Sequence, residues 1–282
     1  MIAFYLFQAT AQANQVQSQG LMAALPPEAN ALLKAKDWAR LADWFETVSP
    51  AVRGVYYELW LESLNRSKRW DRLLVVCDAL QPQLEAKSGP RLGTYRIYRA
   101  QALSQLGRHL EAAQADEEND RLGYPVGLPN ACAEARVALD WNALLTYADE
   151  LLAKKPDNAQ AQAWKGEALA RLDRFAEAEP ILQAAVQADP SLAMAWNNLG
   201  RCLNHRQDWT DALTALDHAL TLDPKEFEAQ FNRGRCLFEL KRYADSANDF
   251  RAALAQRPND PVLQANLHQA ERYAAVPKPR KP

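Results

Sequence analysis

Apolar residues between positions 159 and 260 recur at alternating intervals of three and four, which is the spacing of an amphipathic helix. In residues 193–224 one apolar series runs from Trp196 to Leu203, and a second series runs from Leu213 to Leu220. Runs of β-branched residues, which would favour strands, are nearly absent. The pattern therefore predicts pairs of helices.

A polar break at residues 206–208 separates the two apolar series. It predicts a turn, after which Asp208 or Thr210 can cap the second helix. Pro224 predicts the end of that helix, because proline disfavours helical backbone in the residue before it. Trp209 follows the turn among charged side chains, which leaves two interpretations, a ligand platform and a packing residue.

Three kinds of residue recur with a period of 34 positions, which is the signature of a repeat architecture. The prolines are Pro156, Pro190, Pro224 and Pro258. The glycines are Gly166, Gly200 and Gly234. The aromatic residues are Phe175, Trp209 and Tyr243. Because the aromatic position recurs in every unit, we interpret Trp209 as a residue that packs one helical pair against the next.

The unit resembles the tetratricopeptide repeat, whose pattern runs W-x-x-L-G, an aromatic residue near the turn, two small positions and D-P. Residues 193–226 match it at Trp196, Leu199, Gly200, Trp209, Ala212, Ala219, Asp223 and Pro224. Residues 159–192 and 227–260 are similar, so 159–260 is interpreted as three repeats. The resemblance implies an all-α protein, a right-handed superhelical α-solenoid of stacked helix-turn-helix repeats.

Upstream of residue 159 the pattern decays, although the turn aromatic can still be followed. It recurs at Trp141, Trp70 and Trp38, with a departure at His109. We expect degenerate helical pairs over 22–158, at 22–53, 54–92, 93–124 and 125–158. The extra length of the second pair predicts a longer loop at Leu84 to Pro90.

The two ends of the chain differ from the repeats. Residues 1–21 are apolar and Gln-rich, and they contain Ala11 and Ala13 in a small-x-small arrangement. They are interpreted as the remnant of an export signal or as an apolar helix, so we expect a cytoplasmic protein, or an exported, periplasmic one if a signal is present. Residues 261–276 predict a C-terminal capping helix, and residues 277–282 a disordered basic tail.

Composition and motifs argue against enzymatic chemistry. The net charge of −2 excludes a general nucleic-acid binder, which needs a basic face. Phosphate-binding glycine loops, H-E-x-x-H and G-x-S-x-G are absent from the sequence, and the four histidines lie apart. The four cysteines are widely spaced and predict buried thiols. We expect no catalytic residue, no metal, no cofactor and no membrane span.

The resemblance implies that the first helix of each pair lines a concave groove. Inward positions and their neighbours then give candidate peptide-binding residues, which are Arg171, Asn197, Asn198, Arg201, Asn204, His205, Phe231, Asn232, Arg235 and Phe238. Glu167, Met194 and Glu228 also fall at inward positions, where a full chaperone-tail clamp would want polar or basic groups, and Glu239 is a further inward position.

These residues predict a protein or peptide partner, with an acidic segment or a C-terminal carboxylate as one form of it, because arginine binds carboxylates as a fork. Two interpretations stay open for the polar residues. The asparagines and arginines can bind the partner, or they can bond to neighbouring helices and acidic groups of the stack. The sequence thus predicts a non-enzymatic interaction scaffold, with a structural subunit of a larger complex as the alternative.

Overall fold

The computed structural model describes residues 25–85, 92–123 and 127–275. The expectations for residues 1–21 and 277–282 lie outside these ranges. The described part of the chain is helical and contains sixteen helices without strands. Within these ranges, no helix combines the length and the apolar character needed to cross a bilayer.

The first seven helices belong to one compact unit, which ends at Gly127. They are α1 (Pro27–Lys34), α2 (Trp38–Thr47), α3 (Pro50–Val55), α4 (Tyr57–Arg66), α5 (Trp70–Glu85), α6 (Leu92–Gln105) and α7 (His109–Arg121).

The remaining helices form the second unit, from residue 128 onward. They are α8 (Gly127–Val137), α9 (Trp141–Lys154), α10 (Ala159–Arg171), α11 (Phe175–Ala188), α12 (Ala193–Arg206), α13 (Trp209–Leu222), α14 (Phe227–Glu239), α15 (Tyr243–Gln256) and α16 (Pro261–Ala274).

Seven of these helices begin at the recurring aromatic position that the sequence indicated. The residues are Trp38, Trp70, His109, Trp141, Phe175, Trp209 and Tyr243. Two positions before each of them, the backbone adopts a left-handed conformation, with φ between 55° and 74°. The left-handed residues are Lys36, Lys68, Gly107, Leu139, Asp173, Gln207 and Lys241. One such residue ends the first helix and reverses the chain, so the repeated turn has a single geometry.

The turn before Trp209 shows how the chain satisfies its backbone. The amide of Gln207 donates to the carbonyl of Asn204 at 3.1 Å, and the amide of Asp208 donates to that of Leu203 at 3.0 Å. Asp208 occupies the N-cap position of α13, but its carboxylate accepts a hydrogen bond from Arg206 instead of capping the helix. The sequence-based expectation of a side-chain cap from Asp208 or Thr210 is therefore wrong.

In the second unit, each helix from α9 to α16 packs against the next one in the chain. The close approach within a pair requires glycine. A Cβ on Gly200 would lie 2.5 Å from Cγ of Leu216 on the following helix, and a Cβ on Gly166 would lie 2.4 Å from Cγ of Leu182. Trp209 is partly buried against the apolar core that contains Leu182 and Leu216, and its carbonyl accepts a hydrogen bond from the Cys236 thiol at 2.9 Å. Trp209 thus links α13 to α14 as a packing residue.

The first unit is built from the same kind of pair with less regular spacing. The helices α1, α2, α4, α5, α6 and α7 form one core, in which Leu41, Phe45 and Leu61 are fully buried. The short helix α3, which the sequence did not predict, lies between α2 and α4 in the chain. Helix α5 continues through Pro82 to Glu85, so the predicted loop does not begin at Leu84.

Candidate binding surface of the second unit

Helices α10, α12 and α14 are the first helices of three consecutive repeats, and they contact one another directly, α10 with α12 and α12 with α14. We call the surface that they form the first-helix face. All ten candidate residues from the sequence belong to these three helices.

The four candidate asparagines are buried in this face and bond within the stack. Asn232 donates from Nδ2 to Oδ1 of Asn197 at 3.0 Å, and Asn204 donates to the backbone carbonyl of Asn232 at 3.0 Å. Asn198 donates to the carbonyl of Met194 on its own helix at 3.0 Å. In these bonds the side-chain N–H groups donate within the protein, whereas an extended peptide would need them as donors to its own backbone. For Asn197, Asn204 and Asn232, the structure favours the interpretation that they hold α12 against α14.

Two of the acidic residues at inward positions form ion pairs on the same face. Nε of Arg136 on α8 donates to Oε2 of Glu167 at 2.8 Å, and Glu167 is almost fully buried. Arg171 donates from Nη2 to Oε2 of Glu228, and its guanidinium also lies 5.2 Å from the ring centroid of Trp141. Arg171 thus has an acidic partner inside the protein.

Arg201 and Arg235 behave differently from Arg171. Neither side chain makes a hydrogen bond or an ion pair with another described residue, and each guanidinium lies near an aromatic ring instead. Arg201 lies 5.4 Å from the Phe175 centroid, and Arg235 lies 5.9 Å from that of Phe231. Nη1 of Arg201 is buried without a hydrogen-bond partner. Burial, and after it the nearby Arg171, lowers the pKa of Arg201 from its usual value.

The remaining candidates are aromatic or histidine side chains. His205 is exposed and stacks on Phe175, with ring centroids 4.0 Å apart and an interplanar angle of 19°. Phe231 packs against Phe250 at 6.0 Å, and Phe238 packs edge-on against Tyr243 at 5.1 Å. Both phenylalanines remain partly accessible. They contribute apolar walls beside Arg235 rather than isolated pockets.

Glu226 belongs to this surface, although the inward positions of the sequence did not include it. It occupies the N-cap position of α14 and is half-buried. Asn197 donates to its Oε1 at 3.0 Å, whereas its Oε2 is buried with no partner. Burial, together with the negative charges of Glu228 and Asp223, raises the pKa of Glu226 to about 7. No signal in the sequence distinguishes it from an ordinary solvated carboxylate.

The described residues contain no group of three or more His, Cys, Asp or Glu side chains placed to hold a metal ion. The four cysteines are buried free thiols. Burial raises the pKa values of Cys77, Cys132 and Cys202 to about 12 and that of Cys236 to about 11. Thiols in such surroundings are poor nucleophiles and act in packing.

The tetratricopeptide repeat family model matches the chain three times, over residues 142–193, 175–226 and 206–261. These matches cover the first-helix face and the second helices that support it. The chain therefore contains tetratricopeptide repeats over residues 142–261. Proteins of this class are scaffolds for protein–protein interaction, built from the stacked helical pairs described above.

Two solved structures share this architecture. MamA 41-end from Desulfovibrio magneticus RS-1 is similar with a TM-score of 0.51 and 23% sequence identity, over 61% of this chain and 98% of that chain. A chain of the APC/C hetero-tetramer Cut9-Hcn1 is similar with a TM-score of 0.58 and 14% identity, over 88% of this chain and 49% of that chain. At these identities the likeness shows a common helical solenoid fold.

Proposed function

We propose that this protein binds an acidic segment of a protein partner on the first-helix face of its second unit, without catalysing a reaction. The ligand contributes a side-chain or C-terminal carboxylate. Arg201 and Arg235 are the residues that receive it, and Phe231 and Phe238 contact its apolar parts.

The observation that supports this proposal is the state of Arg201. A guanidinium that is partly desolvated and has no acidic partner costs folding free energy. A ligand carboxylate would supply the missing acceptor, and charge-assisted hydrogen bonds of this kind contribute about 1.5–3 kcal/mol each. Arg235 lies at the equivalent position of the next repeat and is exposed, so it can contact the same ligand.

Fluorescence anisotropy tests the proposal with a labelled peptide rich in Asp and Glu and with its Asn and Gln analogue. We expect a dissociation constant on the order of micromolar for the acidic peptide, which corresponds to about −8 kcal/mol. Replacing both Arg201 and Arg235 by alanine should weaken binding by at least about 30-fold, because two charge-assisted contacts are lost.

The matched control is the double alanine variant of Arg174 and Arg242, which pair with Glu177 and Asp245 at helix starts away from the first-helix face. It removes the same number of positive charges and should leave binding within about threefold, since exposed charges act weakly at this distance. Equal losses in the two double variants, or equal binding of the acidic and neutral peptides, would mean that the first-helix face is not a specific binding site for acidic segments.

A further inference from the structure

The ion pair between Arg171 and Glu228 crosses a whole repeat. Arg171 is the last residue of α10, and Glu228 is the second residue of α14. Helix α12, which carries Arg201, contacts both of these helices in the first-helix face. Burial and the charge of Arg171 lower the pKa of Arg201 whereas the charge of Glu228 raises it, so both members of the ion pair act on Arg201.

We propose that Glu228 is an internal occupant of the anion site, and that a ligand carboxylate must displace it from Arg171 in order to bind. This inference rests on the proposed function. Glu228 then sets the specificity of the first-helix face, because only a ligand group that is also negatively charged can take its place beside Arg171.

The ion pair has the properties of an exchangeable contact. The side chain of Glu228 is 39% exposed and that of Arg171 is 26% exposed. Water therefore screens the pair, and pairs of this kind contribute little to stability. Water and a ligand can both reach the two groups, so opening the pair does not require the repeats to separate.

Neighbouring groups favour the opened state once a ligand is present. Burial, and after it the positive charge of Arg171, lowers the pKa of Arg201, whose Nη1 is buried without a hydrogen-bond partner, so both guanidinium groups attract a carboxylate that replaces Glu228. A neutral or basic segment gains neither contact and leaves Glu228 in place, which is discrimination through a competing interaction.

The test measures binding of the labelled acidic peptide to Glu228→Gln, with Asp211→Asn as the matched control. Asp211 is an exposed residue in the first turn of the second helix α13, and its substitution removes one negative charge outside the first-helix face. We expect Glu228→Gln to bind about tenfold more tightly than the unmodified protein, and Asp211→Asn to bind within about threefold of it.

A double-mutant cycle separates displacement from a general gain in positive potential. In an Arg171→Gln background no internal pair exists, so Glu228→Gln should change affinity no more than Asp211→Asn does. An equal effect of the two substitutions, or persistence of the full Glu228→Gln effect in the Arg171→Gln background, would overturn the displacement model. Thermal unfolding of each variant, and Glu228→Ala as a second substitution, verify that the repeats remain folded.

The outcomes also separate this inference from the proposed function. If the acidic peptide binds and the alanine variant of Arg201 and Arg235 loses that binding, the proposed function stands, whatever Glu228→Gln does. If neither the unmodified protein nor Glu228→Gln binds the peptide at low salt, the proposed function is wrong and the displacement model fails with it.

Discussion

The guanidinium of Arg201 lies 5.4 Å from the centroid of the Phe175 ring and has no hydrogen-bond or ion-pair partner among the described residues. A cation–π contact offsets only part of the free energy that a guanidinium loses when it leaves water. We therefore expect Arg201 to lower the stability of the stack. Residues that serve binding commonly have such a cost in stability. Arg233 on helix α14 has the opposite environment and provides a direct comparison.

We predict that Arg201→Met raises the free energy of unfolding by about 1 kcal/mol, because an apolar side chain of similar length replaces an uncompensated charge. Arg233 instead donates to Asp249 at 2.7 Å and to Asp217 at 2.8 Å. Arg233→Met should lower the free energy of unfolding by about 2–4 kcal/mol, since it strands the buried carboxylate of Asp249. Urea denaturation measures both values. A loss of stability of similar size in both variants would contradict the interpretation of Arg201.

The glycines of the repeats lead to a second prediction. Alanine normally stabilises a helix by about 1 kcal/mol relative to glycine. At Gly166, however, the added Cβ would lie 2.4 Å from Cγ of Leu182, so Gly166→Ala should lower the free energy of unfolding by about 1–3 kcal/mol through overpacking. Gly54 in α3 has no atom within 4 Å of an added Cβ and is the matched control. Gly54→Ala should raise the free energy of unfolding. If both substitutions stabilise the protein, Leu182 does not pack closely against Gly166 in solution.

The repeated packing could be predicted from the sequence because it depends on side-chain size at fixed spacing. Gly200 opposite Leu216 and Trp209 at the start of α13 both follow from the 34-residue period. The left-handed turn residues could not be predicted in this way. Of the seven, Gly107 is the one glycine, whereas Leu139 has a residue type that rarely adopts positive φ, and the surrounding helices impose the conformation.

This imposed conformation gives a third prediction. Leu139 has a φ of 58° and is 66% exposed, so it carries backbone strain without compensating burial. Leu139→Asn should raise the free energy of unfolding by about 0.5–1 kcal/mol, because asparagine tolerates the left-handed region. Leu122 is a comparable exposed leucine after a helix, 54% exposed, with an ordinary φ of −87°. Leu122→Asn should give no gain. An equal gain at both positions would mean that replacing an exposed apolar side chain by a polar one, and not the relief of backbone strain, causes the effect.

The sequence located the first-helix face but could not assign the partners within it. The positions of Arg171, Arg201 and Asn197 follow from the repeat period. Whether each of them bonds internally depends on residues far along the chain, such as Glu228, which is 57 positions from Arg171. Side chains reach across α12 to form this pair, and repeat periodicity contains no information on such contacts. For the same reason, the sequence does not single out Glu226, whose environment depends on its burial and on its contact with Asn197.

Glu226 leads to a prediction on pH dependence. Burial, Glu228 and Asp223 raise its pKa in the folded protein to about 7 from a reference value of 4.5. Between these two values the folded state binds more protons than the unfolded state, so the free energy of unfolding falls as pH rises through this window. The contribution of Glu226 is fully present below about pH 4.5 and is lost above about pH 7.

Glu226→Gln mimics the protonated carboxyl and keeps an oxygen that can accept the hydrogen bond from Asn197. We therefore expect the variant to be more stable than the unmodified protein at pH 8, by on the order of 1–3 kcal/mol, and to differ little from it near pH 4.5. Urea denaturation at pH 4.5, 6, 7 and 8 measures this difference, with Glu239→Gln, at an exposed residue of the same helix, as the control for removing one negative charge. The same difference at every pH would mean that Glu226 stays ionised throughout this window, and that its Oε2 has a partner in solution.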